Sequence, residues 1–66
     1  MDLLALDSAL ERLEVIDSRK SKAIELRYFG GLAIDEIAEV LNLSTKTVRR
    51  DLDFAKAWLH QEIAGG

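Results

Sequence analysis

The chain has 66 residues, which suffices for one small domain and leaves no room for a second core. Hydrophobic residues make up 48% of it, which excludes a disordered chain, and the lack of cysteine excludes disulfides and thiolate metal sites. The net charge is −3, but basic residues concentrate in 19–29 and 44–56, so one face can still attract a polyanion.

The first predicted element is a helix over residues 3–16. Leu6, Leu10 and Leu13 recur there at spacings of four and three, which is the pattern of one apolar helix face. No apolar run in the chain approaches the roughly 20 residues of a membrane span, and nothing resembles a signal peptide. We therefore expect a cytoplasmic protein without a membrane partner.

A second helix is predicted over residues 18–29, with Asp17 or Ser18 as its N-cap. Its apolar residues point in almost every direction, which favours a central, buried helix. These residues are Ala23, Ile24, Leu26, Tyr28 and Phe29. Gly30 and Gly31 follow, and glycine readily adopts the left-handed conformation that ends helices.

The remaining sequence predicts a short helix over 34–41, a tight turn and a long helix over 45–62, followed by a flexible tail at 64–66. Asn42 tolerates positive φ in such a turn, and Ser44 is a good N-cap. The long helix has a continuous inward stripe formed by Val48, Leu52, Ala55 and Leu59. We therefore predict an all-α, four-helix domain over residues 1–63 with a C-terminal helix-turn-helix.

Polar and basic residues surround the start of the last helix, on the side opposite its apolar stripe. Helices of this kind read DNA in the major groove, where arginine grips guanine and threonine offers both a hydroxyl and a methyl group. We predict a DNA-binding set consisting of Ser44, Thr45, Lys46, Thr47, Arg49 and Arg50. Asp51 and Asp53 are expected close to this surface, where they would weaken affinity.

Other side chains each allow two interpretations. Basic residues outside that set either form solvated surface or contact phosphate or polymerase; they are Arg19, Lys20, Arg27 and Lys56. Phe54 and Trp58 either pack against the first helix or form a docking patch. His60 is the only histidine, and we expect it to be an exposed side chain that binds no metal. We find no nucleophile–base pair and no cofactor or small-molecule motif, so an enzyme is not expected.

The residues from Leu6 to Leu59 resemble a known family. The run ELRYFGGL, followed by EIAEVL and then TVRR, is similar to region 4, the C-terminal DNA-binding domain, of bacterial sigma factors of the extracytoplasmic-function (ECF) type. Unlike typical members, this chain has alanine at Ala33, where serine or threonine usually caps the third helix. It also has Asp51, Asp53 and Phe54 where many members carry basic or small residues.

This resemblance implies a promoter-recognition domain that binds the −35 element in the major groove and contacts the RNA polymerase β flap. An anti-sigma factor is a further implied partner, and we expect the chain to be part of a larger sigma factor. Two alternatives remain open. One is the output domain of a LuxR/NarL-type regulator, although the helix at 3–16 and the run ELRYFGGL favour sigma. The other is a helical protein-interaction module that has lost DNA binding, which the acidic balance favours.

Overall fold

A computed structural model of the protein describes residues 3–64. Its helices are α1 (Leu3–Ile16), α2 (Ser18–Ile24, continuing as a π-helical segment, Glu25–Phe29), α3 (Ile34–Leu41) and α4 (Thr45–Ala64). Within these residues there is no strand, and the predicted all-α fold with four helices and a C-terminal helix-turn-helix is confirmed. Of the residues predicted as a tail, Ala64 ends α4. Residues 1, 2, 65 and 66 lie outside the described part of the chain.

The core forms where α1, α2 and α4 pack together, and α3 packs onto α4 and the π segment. Each helix contributes one buried stripe, as expected when an amphipathic helix covers its apolar face. The buried apolar residues are Ala9, Leu13, Ala23, Ile24, Ile37, Ala38, Val48, Leu52, Ala55 and Leu59. All four predicted inward residues of α4 are in this core, so the period used to find its outer face is correct.

The second helix departs from its predicted burial at its C-terminal end. Ala23 and Ile24 are buried, but Tyr28 is 56% exposed and Phe29 is 64% exposed, so the expectation of burial on all sides is wrong there. From Glu25 onward the backbone forms a π-helical turn, in which the Gly30 N–H donates to the Glu25 carbonyl at 2.9 Å. This wider turn shifts the helical period, so the two aromatic rings no longer follow the buried stripe.

The two glycines end this helix for different reasons. Gly31 has φ of +70°, a left-handed conformation that costs a side chain steric strain. A Cβ added at Gly30 would lie 2.8 Å from the Leu26 carbonyl oxygen, so that position is too close to backbone for any side chain. The Leu32 N–H then donates to the same carbonyl at 3.0 Å and closes the helix end. The predicted termination at this glycine pair is confirmed.

Helix α3 begins with only half of a capping box. Ala33 has the extended conformation of an N-cap residue but no side-chain oxygen that could accept a hydrogen bond. The other half is present, because the Ala33 N–H donates to Glu36 Oε1 at 2.8 Å. The backbone at this position is therefore already shaped for a capping serine or threonine.

Candidate nucleic-acid interface

A tight turn between α3 and α4 fixes where α4 begins. Asn42 adopts the left-handed conformation (φ 56°, ψ 49°), and the Leu43 N–H donates back to the Ala38 carbonyl at 2.8 Å. Ser44 Oγ then accepts the Thr47 N–H at 3.1 Å, which satisfies one of the free amides at the start of α4. Both sequence predictions for this turn, positive φ at Asn42 and capping by Ser44, are confirmed.

Packing across this turn fixes which side of α4 faces outward. Ile37 and Val48 are completely buried, and Ala38 is almost so, which brings the two helices close together. Leu52 continues the same inner face one turn later. Because successive residues are about 100° apart around a helix, the opposite side of α4 is directed to solvent.

That outward side carries the residues that we call the basic face, namely Thr45, Lys46, Arg49 and Arg50. All four are exposed. Within residues 3–64, Lys46, Arg49 and Arg50 form no hydrogen bond or ion pair with another side chain. Their positive charges are therefore not neutralised by the described part of the chain and are available to an anionic partner.

Ser44 and Thr47, also predicted to bind DNA, have a structural role in the fold. The Ser44 hydroxyl donates to Thr47 Oγ1 at 3.0 Å while it accepts the Thr47 N–H. Thr47 is half-buried, in contrast to the exposed residues of the basic face. This pair closes the start of α4 and holds the first turn in place beneath the basic side chains.

Asp51 does not lie where the sequence predicted. Only 1% of its side chain is exposed, and its carboxylate faces α2 instead of the basic face. Arg19 holds it with two hydrogen bonds, from Nε to Oδ2 at 2.7 Å and from Nη2 to Oδ1 at 3.0 Å. The expectation that Asp51 opposes DNA at the surface is therefore wrong, whereas Asp53 is exposed as expected.

Lys20 joins the same group of charges at the start of α2. Its ammonium lies 2.7 Å from Asp17 Oδ2, 3.6 Å from Asp51 Oδ1 and 5.1 Å from the centre of the Phe54 ring. We call Asp17, Arg19, Lys20 and Asp51 the ion-pair cluster. Its formal charges cancel, so Arg19 and Lys20 differ sharply from the unpaired cations of the basic face.

Hydrogen bonding within the ion-pair cluster perturbs two of its members. The hydrogen bond to Asp51 raises the pKa of the Arg19 guanidinium above its ordinary value, and the negative charge of Asp51 adds to this. The hydrogen bond from the Lys20 ammonium lowers the pKa of Asp17, against the opposing effect of desolvation. Both directions favour the charged forms of Arg19 and Asp17.

Comparison with protein families gives one match: the model of the ECF sigma factor family aligns with residues 1–65. The chain belongs to the ECF sigma factor family. Comparison with curated proteins and with solved structures yields no further match. Membership assigns the chain to transcription initiation, with RNA polymerase and promoter DNA as its general partners. It also favours sigma over the LuxR/NarL-type alternative that the sequence left open.

The other two candidate cations of this ECF sigma factor lie away from the basic face. Arg27 Nη1 donates to the Leu32 carbonyl at 2.9 Å, across the loop that follows the π segment. Lys56 is exposed, but it borders an apolar groove between the π segment and the second half of α4. Neither lies at the start of α4: Arg27 belongs to the π segment, and Lys56 is about two turns beyond Arg49 on α4.

That groove is a surface feature that the sequence did not predict. Its volume is about 570 Å³, and its walls are mainly Leu6, Ile24, Tyr28, Phe29, Leu59 and Ile63. Of the two residues that the sequence offers either as packing or as a docking patch, Trp58 is half-buried against the core, whereas Phe54 is 49% exposed with the Lys20 ammonium over its ring. The signal that could have located the groove is the adjacent aromatic pair directly before the two glycines.

Metal binding and membrane insertion were both considered for the described residues. Within residues 3–64, no group of histidine and carboxylate side chains is arranged to hold a metal ion, and His60 is exposed at the edge of the groove. None of the helices in that range is both long and apolar enough to cross a membrane. The ECF sigma factor family is a family of transcription factors without enzymatic activity.

Proposed function

We propose that this chain is the region 4 domain of an ECF sigma factor, and that α4 binds the −35 promoter element in the major groove. The observation that carries the proposal is the basic face: three unpaired cations on the exposed side of a helix whose other side is locked into the core. In this arrangement Arg50 and Lys46 contact base edges, while Arg49 and Thr45 contact bases or the adjacent backbone.

Backbone groups at the same end of α4 support this proposal. The first amides of a helix point outward and favour an anion, and α4 begins beside the tight turn at Asn42. A phosphate placed there would lie next to Lys46. Contacts of this kind give affinity and register, whereas the arginine side chains give sequence preference.

The test is fluorescence anisotropy with a labelled −35 duplex and a scrambled duplex, each titrated across a salt series. Each phosphate contact changes the slope of log K against log salt by about −0.9, so several contacts give a steep loss of affinity. We expect tighter binding to the −35 duplex and a clear salt slope. Absent or salt-insensitive binding at low salt would contradict the proposal.

We further propose that the apolar groove receives the RNA polymerase β flap, or an anti-sigma factor that competes for it. Apolar grooves of this kind suit an amphipathic helix from a partner, and Phe29, which is 64% exposed, is one of the residues that line it. Phe29→Glu should abolish binding to a β-flap fragment without unfolding the domain, because the ring is already exposed. Unchanged binding would show that the flap contacts another surface. Because RNA polymerase works in the cytoplasm, we also propose that compartment as the site of action.

An interaction module that has lost DNA binding is the competing function, and the net charge of −3 favours it. The two functions differ in what Arg50→Ala changes. If the chain reads DNA, this variant loses affinity for the −35 duplex but keeps the β-flap fragment. If it is only an interaction module, the variant and the natural chain behave alike toward both partners.

A further inference from the structure

Arg19 and Asp51 make the most specific contact between α2 and α4. The guanidinium meets the carboxylate through two parallel hydrogen bonds, at 2.7 and 3.0 Å, so the two planar groups are aligned as well as attracted. A two-point contact of this kind fixes rotation in addition to distance, which a single ammonium contact does not. Lys20, 3.6 Å from the same carboxylate, reinforces its position.

Packing of α4 on α1 and α3 fixes which side of α4 faces outward, but the rest of the contact between α2 and α4 resists a small rotation only weakly. From α2 the buried residues are Ser21, Ala23 and Ile24, two of which have very small side chains. On the α4 side, Ala55 occupies the middle of the buried stripe. Small residues let helices approach closely, but they offer few ridges that would resist a turn of one helix about its own axis.

The position of Asp51 makes such a turn consequential. Asp51 follows Arg50 directly, and both lie on the same rigid helix as Lys46. A rotation of about 20° moves a side-chain atom about 6 Å from the helix axis by about 2 Å. A bidentate contact with a base edge tolerates far less, because hydrogen bonds weaken steeply outside their normal distance and angle.

Stability alone does not explain a carboxylate buried at this position. Asp51 is 1% exposed and has lost its water, whereas its partner Arg19 is 45% exposed, and replacing a buried charge by an apolar residue is often neutral or stabilising. The best-attested role of buried polar groups is to specify the register between helices. Here the pair joins the helix that carries the basic face to the central helix of the core.

We propose that Arg19 and Asp51 are positioning residues, which set the rotation of α4 against α2 and thereby the direction in which Lys46 and Arg50 project. This rests on the proposed function, because it assigns the pair a role in promoter discrimination. Arg19 therefore acts on specificity from within the protein, without itself reading a base.

Two conservative variants test the pair, and one control matches them. Asp51→Asn keeps the shape of the side chain and removes its charge, whereas Arg19→Lys keeps the charge and removes the fork. Asp53→Asn removes an exposed carboxylate two residues away on the same helix. The readout is the ratio of dissociation constants for scrambled and −35 duplexes. We expect both pair variants to reduce this ratio by about fivefold or more, with the Asp53→Asn ratio not reduced.

This ratio separates positioning from a merely structural role. A variant that is partly unfolded loses the same fraction of both affinities, so its ratio is unchanged. The salt slope provides a second criterion for Arg19→Lys, because an unchanged slope means that no phosphate contact has been lost. A ratio that equals that of the natural chain in both pair variants would overturn the proposal.

A measurement without DNA keeps the proposal testable if the chain binds no duplex. Residual dipolar couplings of the backbone amides report the orientations of α2 and α4 in the free protein. We expect both pair variants to rotate α4 relative to α2 and Asp53→Asn to leave it unchanged. Unchanged couplings in the pair variants would overturn the positioning role whatever the DNA result. Failure of the natural chain to bind any duplex would instead overturn the proposed function.

Discussion

Two groups of basic residues open two helices of this domain, and the structure treats them in opposite ways. Arg19 and Lys20 at the start of α2 are bound by Asp17 and Asp51 in the ion-pair cluster. The cations of the basic face at the start of α4 have no such partner within residues 3–64. In sequence the two groups look alike, so local charge density alone does not identify a nucleic-acid surface.

The comparison also explains how a chain with a net charge of −3 can present a cationic surface. Asp51, the carboxylate closest in sequence to Arg50, is directed inward and neutralised by Arg19. A buried, paired carboxylate contributes little to the field outside the protein, because the nearby cation cancels it. The sign of the total charge therefore says less about a partner than where each carboxylate is directed.

The largest expected effect is on the basic face itself. Arg50→Ala should weaken binding to the −35 duplex about 10- to 100-fold and relax base preference, because one good bidentate contact contributes about 1–3 kcal/mol of discrimination. Lys56→Ala, about two turns beyond Arg49 on α4, should weaken binding to all sequences slightly and equally. Anisotropy titrations with a panel of single-base duplex variants measure both. Equal losses on every duplex from both variants would remove Arg50 from the reading role.

Local chemistry made the turn and the basic face predictable. Positive φ at Asn42, capping by Ser44 and helix termination at Gly30–Gly31 each follow from the residue type at one position. The outward face of α4 follows from its apolar stripe, since one buried side fixes the opposite one. Such features need no knowledge of what the rest of the chain does.

Features that depend on two distant segments were not predictable in this way. Arg19 and Asp51 are 32 residues apart, and nothing in either local sequence indicates the other. The π segment likewise changes the helical period in the middle of a predicted helix, whereas Tyr28 and Phe29 were expected to be buried because the apolar residues of that helix point in almost every direction. The exposure of these two rings and the groove beside them follow from that shift.

Removing one carboxylate at a time from α4 separates the effect of a buried carboxylate from that of an exposed one. Asp51→Ala should lower the free energy of unfolding by about 2 kcal/mol, because it leaves a buried space and a guanidinium without its partner. Asp53→Ala, which removes an exposed carboxylate from the same helix, should change it by less than about 0.5 kcal/mol. Urea denaturation followed by circular dichroism measures both. Similar losses from the two variants would mean that the burial of Asp51 has no energetic consequence.

A smaller effect is expected at Ser21, next to the ion-pair cluster in sequence. Its side chain is completely buried, and within residues 3–64 its hydroxyl has no hydrogen-bond partner. Ser21→Ala should raise the free energy of unfolding by about 1 kcal/mol, since it removes an unsatisfied polar group and favours the helix. Ser18→Ala on the exposed first turn of α2 is the control and should change stability less. Destabilisation by Ser21→Ala would indicate that the hydroxyl is hydrogen-bonded after all.

The smallest effect concerns the pH dependence of the ion-pair cluster. Because the Lys20 hydrogen bond lowers the pKa of Asp17 in the folded state, the carboxylate contributes stability above its unfolded pKa, near 3.8. That contribution is lost as pH falls through the lower, folded pKa, so the stability of the natural chain should decrease toward acid below about pH 4.

Asp17→Asn remains a good helix cap but cannot ionise, and so isolates the charge. Urea denaturation between about pH 5 and pH 2 should show the natural chain's advantage over Asp17→Asn narrowing as the pH falls. The basic face contains no carboxylate, so no corresponding loss is expected there. A gap between the two proteins that stays constant with pH would mean that Asp17 acts through its shape as a cap, and that its charge does not tie α2 into the cluster.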